Sequence, residues 1–418
     1  MNDLESIRIN GDRLWSRLMR IAQVGATPAG GCNRQALTDE DVEGRELFIS
    51  WCRQAGCDVR IDEIGNIFAR RPGTGHDSPA VMTGSHLDTQ PTGGRFDGIY
   101  GVLAGLEVIE TLNDRGIPTR HPIDVVVWTN EEGCRFDTAM MGSAVWSGNL
   151  PLEEAYALRD QDGHSVLEEL DRGGHRGRFP ATPGSVKAAF EAHIEQGPVL
   201  EQGGESIGIV TGVQHMSRHR VVIEGQEAHA GPTPMALRKD PVMALASTLP
   251  KLYALAEAHG PDGRVTIGCI KTLPGSSNTV PGRLVYTVDI RHPEEAQYIA
   301  MLGELREYIA ASCGEFGLSW HHDCFWQSPG LTFHKECIQA VRTAVEIVGL
   351  SHRDMISGAG HDACNLASRV PASMIFIPCE NGISHNEAES IKTEAATAGA
   401  NVLLHAMLHQ ASGDVQRA

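Results

Sequence analysis

The sequence predicts an α/β fold in which a mostly parallel sheet, with helices on both faces, carries an inserted βαββαβ (ferredoxin-like) domain. The first observation is a set of short apolar runs, rich in Val, Ile or Phe and bounded by turn residues, at 80–83, 123–128, 186–192 and 374–378. Such runs are typical of strands buried on both faces of a parallel sheet. The second is that helical patterns separate these runs. The third is the length of 418 residues, at which single cores tend to split.

Helical patterns open the chain. Residues 11–24 and 40–57 repeat apolar side chains at helical spacing, which predicts two helices before the first buried strand. A third helix is predicted over 98–113, and Asp97 immediately before it is an expected N-cap because a short carboxylate can accept a free N–H of the first turn. These helices are expected to cover the sheet.

The stretch from 213 to 328 predicts a different order of strands and helices. It predicts a strand at 218–224, a helix at 238–258, strands at 264–272 and 284–291, a helix at 294–313 and a strand at 318–326. This order is the split βαβ arrangement. The sequence therefore predicts a discontinuous main domain of residues 1–212 and 329–418, interrupted by a smaller domain of residues 213–328.

Composition excludes several classes of protein. The formal net charge of −18 argues against binding to nucleic acid or to an anionic membrane surface. It leaves a small anionic ligand possible, because a local arginine or metal ion can override the global field. The ten cysteines show no CxxC pair and predict free thiols in a reducing compartment. With neither a signal-like N-terminus nor an apolar run near ~20 residues, the protein is expected to be cytoplasmic.

Polar side chains of metal-binding type follow the predicted buried strands. They occur in GSHLDT (His86, Asp88), RFDG (Asp97), TNEE (Glu131, Glu132), HIEQ (His193, Gln196) and SHNEAE (His385, Glu389). Taken alone, each has an ordinary explanation as a surface residue or helix cap. Ligands of open α/β sheets, however, bind beyond the carboxyl ends of the strands. Five loops that deliver such groups to one edge predict a metal site.

The donor set indicates which chemistry this site supports. Imidazole with carboxylate suits Zn²⁺, and also Mn²⁺, Co²⁺ or Ni²⁺. One carboxylate can bridge two ions while another stays unligated as a general base. Glu131 and Glu132 can divide these tasks, because adjacent side chains of an extended segment point in opposite directions. Asp88, two residues after His86, is placed to orient that imidazole.

The motifs GSHLDT, FDGIYG, TNEEG, HIEQG, EAHAGPTPM, GAGHDA and SHNEAE occur in this order. With them the chain resembles, over nearly its whole length, the hydantoinase/carbamoylase family of dinuclear metal amidases, a branch of the aminoacylase and carboxypeptidase-like metallohydrolases. The resemblance implies two divalent ions per subunit, with Zn²⁺ favoured. It assigns their ligands as His86 and His193 for one ion, Glu132 and His385 for the other, and Asp97 as the bridge. Glu131 would be the general base.

The resemblance also implies residues that contact the substrate. In the smaller domain, His229 would polarise the scissile carbonyl, while Asn278 and Arg291 would grip a substrate carboxylate. In the family these groups reach the metal site from the partner subunit of a homodimer, so the smaller domain is expected to serve as a lid and dimerisation domain. In the main domain, Gln196 would contact the carbamoyl group. Gly360 and His361 would lie near the substrate.

The implied activity is hydrolysis of the carbamoyl C–N bond of an N-carbamoyl-L-amino acid or N-carbamoyl-β-alanine, giving the amino acid, ammonia and CO₂. One alternative is allantoate amidohydrolase, because allantoate also carries ureido groups. Another is an aminoacylase or dipeptidase with the same metals, although peptidases of the superfamily usually have an acid where this chain has His193. A non-catalytic binding protein is a third, yet no expected ligand and no expected base is missing.

Overall fold

A computed structural model describes residues 4–412 of the chain. They form two compact units. The larger contains the residues up to Thr211 and those from Phe333 onward, and the smaller is Gly212–Thr332. Residues 1–3 and 413–418, which the sequence-based main domain includes, lie outside the described residues. None of the helices between residues 4 and 412 is both long enough and apolar enough to cross a membrane.

Strands and helices alternate through most of the chain. The strands are β1 (Asp58–Ile61), β2 (Ile67–Arg71), β3 (Ala80–His86), β4 (Ile123–Trp128), β5 (Val186–Ile194), β6 (Ile207–Val213), β7 (His215–Glu224), β8 (Ala228–His229), β9 (Arg264–Thr266), β10 (Ile270–Leu273), β11 (Thr279–Val280), β12 (Arg283–His292), β13 (Ser319–Ser328), β14 (Leu331–Thr332), β15 (His352–Ser357) and β16 (Ala372–Ile377). The α-helices are α1 (Gly11–Ile21), α2 (Asp39–Gln54), α3 (Ile99–Asp114), α4 (Met141–Ser147), α5 (Leu152–Ala157), α6 (Val166–Gly173), α7 (Val199–Gly203), α8 (Pro241–Ala258), α9 (Glu295–Glu315), α10 (Lys335–Val348), α11 (Asp362–Ala367) and α12 (Thr393–Ala411).

The larger unit is built on a mixed sheet in the order β1-β2-β4-β3-β5-β16-β6, with β15 also paired to β6. Its four central strands, β4, β3, β5 and β16, are parallel. The flanking strands β1, β2 and β6 pair antiparallel. The predicted α/β class with a largely parallel central sheet is confirmed. The four parallel strands are the four apolar runs of the sequence.

Side-chain alternation along the central strands separates two faces of the sheet. Phe190 and Ala192 of β5 join the main core, which also contains side chains of α1, α3, α10 and α12. The intervening Glu191 and His193 point to the opposite face, as the two-residue period of a strand requires. There the N–H of Ala363, in α11, donates to Glu191 at 2.9 Å. Helices therefore cover both faces.

Two local differences from the sequence-based expectation concern the edge of the sheet. Strands β3 and β5 continue past the predicted runs, so His86 and His193 belong to strands and not to loops. The expectation that Asp97 caps α3 is wrong. The N-cap is Gly98, with φ of 71° and no side-chain hydrogen bond, so the carboxylate of Asp97 is turned away from the helix.

The smaller unit is an antiparallel sheet with two long helices. Its strand order is β10-β12-β7-β13, and β9 pairs with β12 beside β10. Apolar side chains of the sheet pack with those of α8 and α9 in a second core. The segment 264–272, predicted as one strand, is two strands with a break between them. Apart from that break and the two-residue strands β8, β11 and β14, the observed order is βαββαβ.

Candidate metal centre

The candidate ligands come from the carboxyl ends of the parallel strands. His86 ends β3 and His193 lies near the end of β5, the neighbouring strand. Glu132 follows β4 in a turn, and His385 lies in the loop after β16. Asp97 precedes α3. Because parallel strands end at the same edge of a sheet, chain segments that are far apart in sequence meet there.

These five side chains form two triplets that share one residue. The first is His86, Asp97 and His193, and the second is Asp97, Glu132 and His385, each with its ligand atoms within 4.8 Å of one another. Asp97 Oδ1 lies 3.1 Å from Nε2 of His193 and 3.8 Å from Nε2 of His86. Asp97 Oδ2 lies 3.4 Å from Nε2 of His385, which is also 3.4 Å from Oε2 of Glu132. One carboxylate thus presents one oxygen to each triplet.

The donor set fits a pair of divalent cations. Each triplet offers imidazole nitrogen and carboxylate oxygen, the combination that Zn²⁺ accepts in proteins. His86 Nδ1 hydrogen-bonds to the main-chain carbonyl of Asp88 and His193 Nδ1 to that of Ile194, both at 2.9 Å. A carbonyl only accepts, so each Nδ1 carries a proton, and Nε2 is the ring nitrogen that faces the site and could bind a cation.

Burial and mutual contacts shift the pKa values of all five side chains of the two triplets. Burial favours a neutral carboxyl, yet hydrogen bonds from His193 and His385 hold the pKa of Asp97 well below its usual range. The hydrogen bond to Asp97 raises the pKa of His385 to about 9, and the pKa of His193 also rises to about 9 although burial opposes it. Burial lowers the pKa of His86 to about 4 and raises that of Glu132 to about 8. Such a group of buried carboxylates and imidazoles is stabilised by bound cations.

Glu131 belongs to neither triplet. Its side chain is buried, and Oε2 lies 3.4 Å from Nε2 of His86. Asn130 before it has φ of 55°, a left-handed conformation that turns the chain after β4. Burial, followed by the nearby charge of Asp362, raises the pKa of Glu131 well above its usual range. A carboxylate with a raised pKa beside a metal site is suited to accept a proton near neutral pH.

Asp88 contacts its neighbours differently from the expectation. Its carboxylate oxygen is 4.0 Å from Nδ1 of His86, whereas its main-chain carbonyl makes the orienting hydrogen bond. The carboxylate instead accepts the N–H groups of Glu131 at 3.3 Å and Glu132 at 3.2 Å. Asp88 therefore positions both glutamates through their main chain.

Gln196 contacts the bridging carboxylate. Its Nε2 donates to Oδ2 of Asp97 at 2.9 Å and lies 3.3 Å from the hydroxyl of Ser384. Because a carboxylate only accepts, the amide nitrogen must face Asp97. The Oε1 atom is buried and, within the described residues, has no hydrogen-bond partner. Gln196 thus offers one unused acceptor beside the triplets.

The loop before α11 lies close to the first triplet. The ring of His361 is buried and meets the ring of His193 edge-on, with centroids 4.5 Å apart. Nε2 of His361 is 3.1 Å from the hydroxyl of Ser357. Gly360 precedes it and is partly buried. The structure therefore places both predicted residues near a candidate ligand.

A third cluster of donor atoms, Glu191, His193 and His361, shares a histidine with the first triplet. Both carboxylate oxygens of Glu191 already accept hydrogen bonds, from the hydroxyl of Ser85 at 2.7 Å and from the N–H of Ala363 at 2.9 Å. These bonds tie β3 and α11 to β5. The cluster is better explained as support for His193 than as a further metal site.

The remaining predicted residues lie in the smaller unit. His229 and Asn278 are exposed and close together, because the N–H of Ala230 donates to the carbonyl of Asn278 at 2.9 Å. Arg291, in β12, donates two hydrogen bonds to the carboxylate of Asp289, at 2.7 and 3.0 Å. The guanidinium thus holds the carboxylate of Asp289 in a forked geometry, and a carboxylate is also the group that Arg291 is predicted to grip in a substrate.

Two residues of the site, Gly98 and Ser384, were not assigned from the sequence, and Glu389 was identified only as a side chain of metal-binding type. The Cβ of any residue replacing Gly98 would lie 2.3 Å from Nε2 of His86, and Gly98 also has φ of 71°. Ser384 bonds to Asp97, and Glu389 bonds to the main chain around it. The motifs FDG and SHNEAE contain these residues, but only the fold brings them to Asp97.

Comparison with known proteins identifies the family of this chain. Residues 82–409 match the sequence model of the family described as Peptidase family M20/M25/M40. The chain is 46% identical to an N-carbamoyl-L-amino-acid amidohydrolase of Rhizobium meliloti, over 97% of this chain and 98% of that protein. It is 35% identical to the allantoate amidohydrolase of Escherichia coli, over 93% and 95%. The chain belongs to the hydantoinase/carbamoylase amidases of this peptidase family.

A solved structure supports the same assignment. The hydantoinase/carbamoylase family amidase of Burkholderia multivorans superimposes with a TM-score of 0.92 at 49% identity, over 97% of this chain and 99% of that one. The family resemblance read from the motifs is therefore confirmed. So is the fold class, because the match covers nearly the entire chain.

Proposed function

We propose that this amidase hydrolyses the carbamoyl C–N bond of N-carbamoyl amino acids, releasing the amino acid, ammonia and CO₂. The observation that carries the proposal is the pair of ligand triplets sharing Asp97, with the buried and unligated Glu131 3.4 Å from His86. N-carbamoyl-L-amino acids are the first candidates, because relatives up to 46% identical carry that substrate in their names. N-carbamoyl-β-alanine is the second.

The cofactor assignment follows from the donor set. We assign two divalent ions to the triplets, with Zn²⁺ as first choice and Mn²⁺, Co²⁺ or Ni²⁺ as alternatives. When bound, such ions lower the pKa of a shared water and polarise a substrate carbonyl. Glu131 takes the proton of the attacking water and returns it to the leaving nitrogen. Its burial favours the protonated form that must persist between these two transfers.

Gln196 supports a carbamoyl substrate over an acyl one. Its unused Oε1 is an acceptor beside Asp97. A carbamoyl group ends in an NH₂ that can donate to this oxygen, whereas an acetyl or acyl group offers no donor there. The hydrogen bond that a carbamoyl NH₂ would gain is worth about 0.5–1.5 kcal/mol, so we expect the site to prefer carbamoyl over acyl substrates. Allantoate also carries NH₂ groups and is not excluded by this contact.

The smaller unit is proposed to complete the site of a partner subunit in a homodimer, as the family resemblance implies. His229 would polarise the scissile carbonyl, and Asn278 and Arg291 would hold the substrate carboxylate. Exposed apolar side chains on α8, including Met243 and Tyr253, support a protein interface there. The outer strand β13 adds a sheet edge that no other strand of residues 4–412 pairs with.

Cellular location is proposed on chemical grounds. In the described part of the chain all ten cysteines are free thiols. Free thiols persist in a reducing compartment, which favours the cytoplasm.

Two other activities remain candidates. Allantoate amidohydrolase is favoured by the 35% identity to the Escherichia coli enzyme of that name. An aminoacylase or dipeptidase would use the same two triplets, but it leaves Oε1 of Gln196 without a donor. A non-catalytic role is disfavoured, because the five side chains proposed as ligands lie in two adjoining clusters and Glu131 lies 3.4 Å from His86.

A substrate panel tests the proposal. The metal-free protein is reconstituted with Zn²⁺, Mn²⁺, Co²⁺ or Ni²⁺ and assayed on N-carbamoyl-L-amino acids, N-carbamoyl-β-alanine, allantoate, N-acetyl amino acids and dipeptides. We expect the highest kcat/KM on a carbamoyl amino acid. Faster cleavage of acetyl or peptide bonds would overturn the assignment, and faster cleavage of allantoate would move it to the ureido alternative.

A further inference from the structure

Glu389 is a buried carboxylate for which the mechanism above has no task. Its side chain is 1% exposed. Oε1 accepts the main-chain N–H groups of Phe96 and Asp97, each at 3.0 Å, and Oε2 lies 3.1 Å from the hydroxyl of Ser384. One side chain therefore satisfies two consecutive amides of the loop that carries the bridging residue.

The same contacts join two segments that supply ligands. Glu389 and Ser384 belong to the same loop as His385. His385 has φ of 53°, so the chain turns sharply between Ser384 and Glu389. The hydroxyl of Ser384 is also 3.1 Å from Oδ2 of Asp97. The loop of Asp97 and the loop of His385 are thus held together by one carboxylate and one hydroxyl.

The fit between these loops is close. A Cβ on Gly94, three residues before Asp97, would lie 2.1 Å from the carboxyl group of Glu389. The main chain of the Asp97 loop therefore runs directly against Glu389. Any shift of this carboxylate is expected to move the main chain of Asp97, since two N–H groups would lose their acceptor.

We propose that Glu389 is a positioning residue of the metal centre: it fixes the main chain of Asp97 so that the two carboxylate oxygens face different triplets. The proposal rests on the two-metal centre of the proposed function. Asp97 needs this support because Oδ1 must stay beside His86 and His193 while Oδ2 faces the second triplet. Partners behind metal ligands commonly set affinity in this way.

The test compares Glu389→Ala and Glu389→Gln with the wild type and with Glu107→Ala. Glu107 is a matched control, because it is also 1% exposed and accepts a main-chain N–H, that of Asn10 at 2.9 Å, but touches no proposed ligand. Metal affinity is measured by chelator competition, and the dinuclear centre by the exchange-coupled EPR signal of the Mn²⁺-loaded protein. Neither readout depends on a substrate.

We expect Glu389→Ala to lose affinity for at least one of the two ions by about 10–100-fold and to weaken the coupled signal. Glu389→Gln should lose less, because its amide oxygen can still accept both N–H groups. Glu107→Ala should lower thermal stability and leave metal affinity unchanged. If Glu389→Ala does not fold, the comparison of Glu389→Gln with the wild type decides.

Unchanged affinity and an unchanged coupled signal in folded Glu389 variants would overturn the proposal, as would an equal loss in Glu107→Ala. A wild-type protein that binds fewer than two ions would overturn it together with the metal centre. A wild-type protein that binds two ions but cleaves no carbamoyl substrate would contradict only the proposed activity.

Discussion

Glu131 and Glu132 are adjacent in the chain but have different surroundings. Glu132 faces His385 within a ligand triplet, while Glu131 faces His86 outside both triplets. Replacing Glu131 by Gln keeps the shape and removes the proton acceptor. We expect Glu131→Gln to lower kcat by about 10²–10⁴-fold, the usual contribution of a general base. Metal content should stay near two ions, measured by elemental analysis of the same sample.

The matched variant is Glu132→Gln, which removes a proposed ligand instead of the base. It should lose metal as well as activity, because a carboxylate oxygen of the second triplet is gone. A Glu131→Gln enzyme that retains most of its activity would show that another group accepts the proton.

A glycine is required at position 98 both because the backbone angle φ is positive and because the ring of His86 leaves no room for a side chain. An added methyl group would lie 2.3 Å from Nε2 of His86, the atom proposed to bind metal. We expect Gly98→Ala to reduce metal affinity, measured by chelator competition. Gly116→Ala separates the two effects, because Gly116 also has a positive φ but no atom within 4 Å of the added Cβ. That control should cost roughly 1–2 kcal/mol of stability and leave metal affinity unchanged.

Sequence reasoning could find the proposed ligands because each lies in a segment that ends or follows a buried apolar run. His86 and Asp97 are identifiable as residue types with known chemistry at a predictable edge of the sheet. The contacts of Asp88 and Glu389 could not be assigned in this way, because both bond to main-chain N–H groups of distant segments. Which amide lies within 3 Å of a carboxylate depends on loop conformation, and left-handed residues such as His385 carry little sequence signal.

Strands β7 and β13 of the smaller unit are joined by a pair of histidines. Nδ1 of His219 lies 3.0 Å from Nε2 of His322, and Nε2 of His219 lies 2.7 Å from the hydroxyl of Ser217. Burial lowers the pKa of His219 from 6.5 to about 4, and it also lowers the pKa of His322. Between these values the unfolded chain binds a proton that the folded chain excludes, so stability falls as pH falls from 6.5 toward 4.

We therefore expect His219→Gln to flatten the loss of stability between about pH 7.5 and about pH 5, measured by urea unfolding at each pH. Gln327→Ala, at an exposed position of the same strand β13 that does not titrate, should keep the wild-type slope. An identical slope for wild type and His219→Gln would mean that this pair does not couple protonation to unfolding.

Element boundaries show where local signals were enough. Helix α8 begins at Pro241 because Asp240 caps it, accepting the N–H of Val242 at 2.9 Å, whereas the helical pattern predicts a start at residue 238. The capping residue Asp240 and the proline that follows it can both be recognised in the sequence. The break within 264–272 cannot be recognised in the sequence, because β9 and β10 both pair with β12 and their separation depends on that pairing.

At the scale of the molecule, the order of elements allowed the α/β class and the inserted βαββαβ segment to be predicted. The strand order was not predictable in the same way. Neighbours such as β5 and β16 are 183 residues apart, from Ala189 to its partner Ala372, and the long insertion lies between them. Local periodicity identifies a buried strand, but the partner of that strand depends on the packing of the whole sheet.

Assembly gives the broadest prediction. If His229 acts in the site of the partner subunit, Glu131→Gln and His229→Ala should each be nearly inactive alone. Mixed after reversible dissociation, they form heterodimers in which one site combines an intact Glu131 with an intact His229 from the other chain. Equal mixing should restore about a quarter of wild-type activity, because half of the dimers are mixed and each has one working site of two. Sedimentation confirms that dimers have re-formed. No recovery in re-formed dimers would place His229 and Glu131 in the same chain's site, and a monomeric wild type would contradict the proposed homodimer itself.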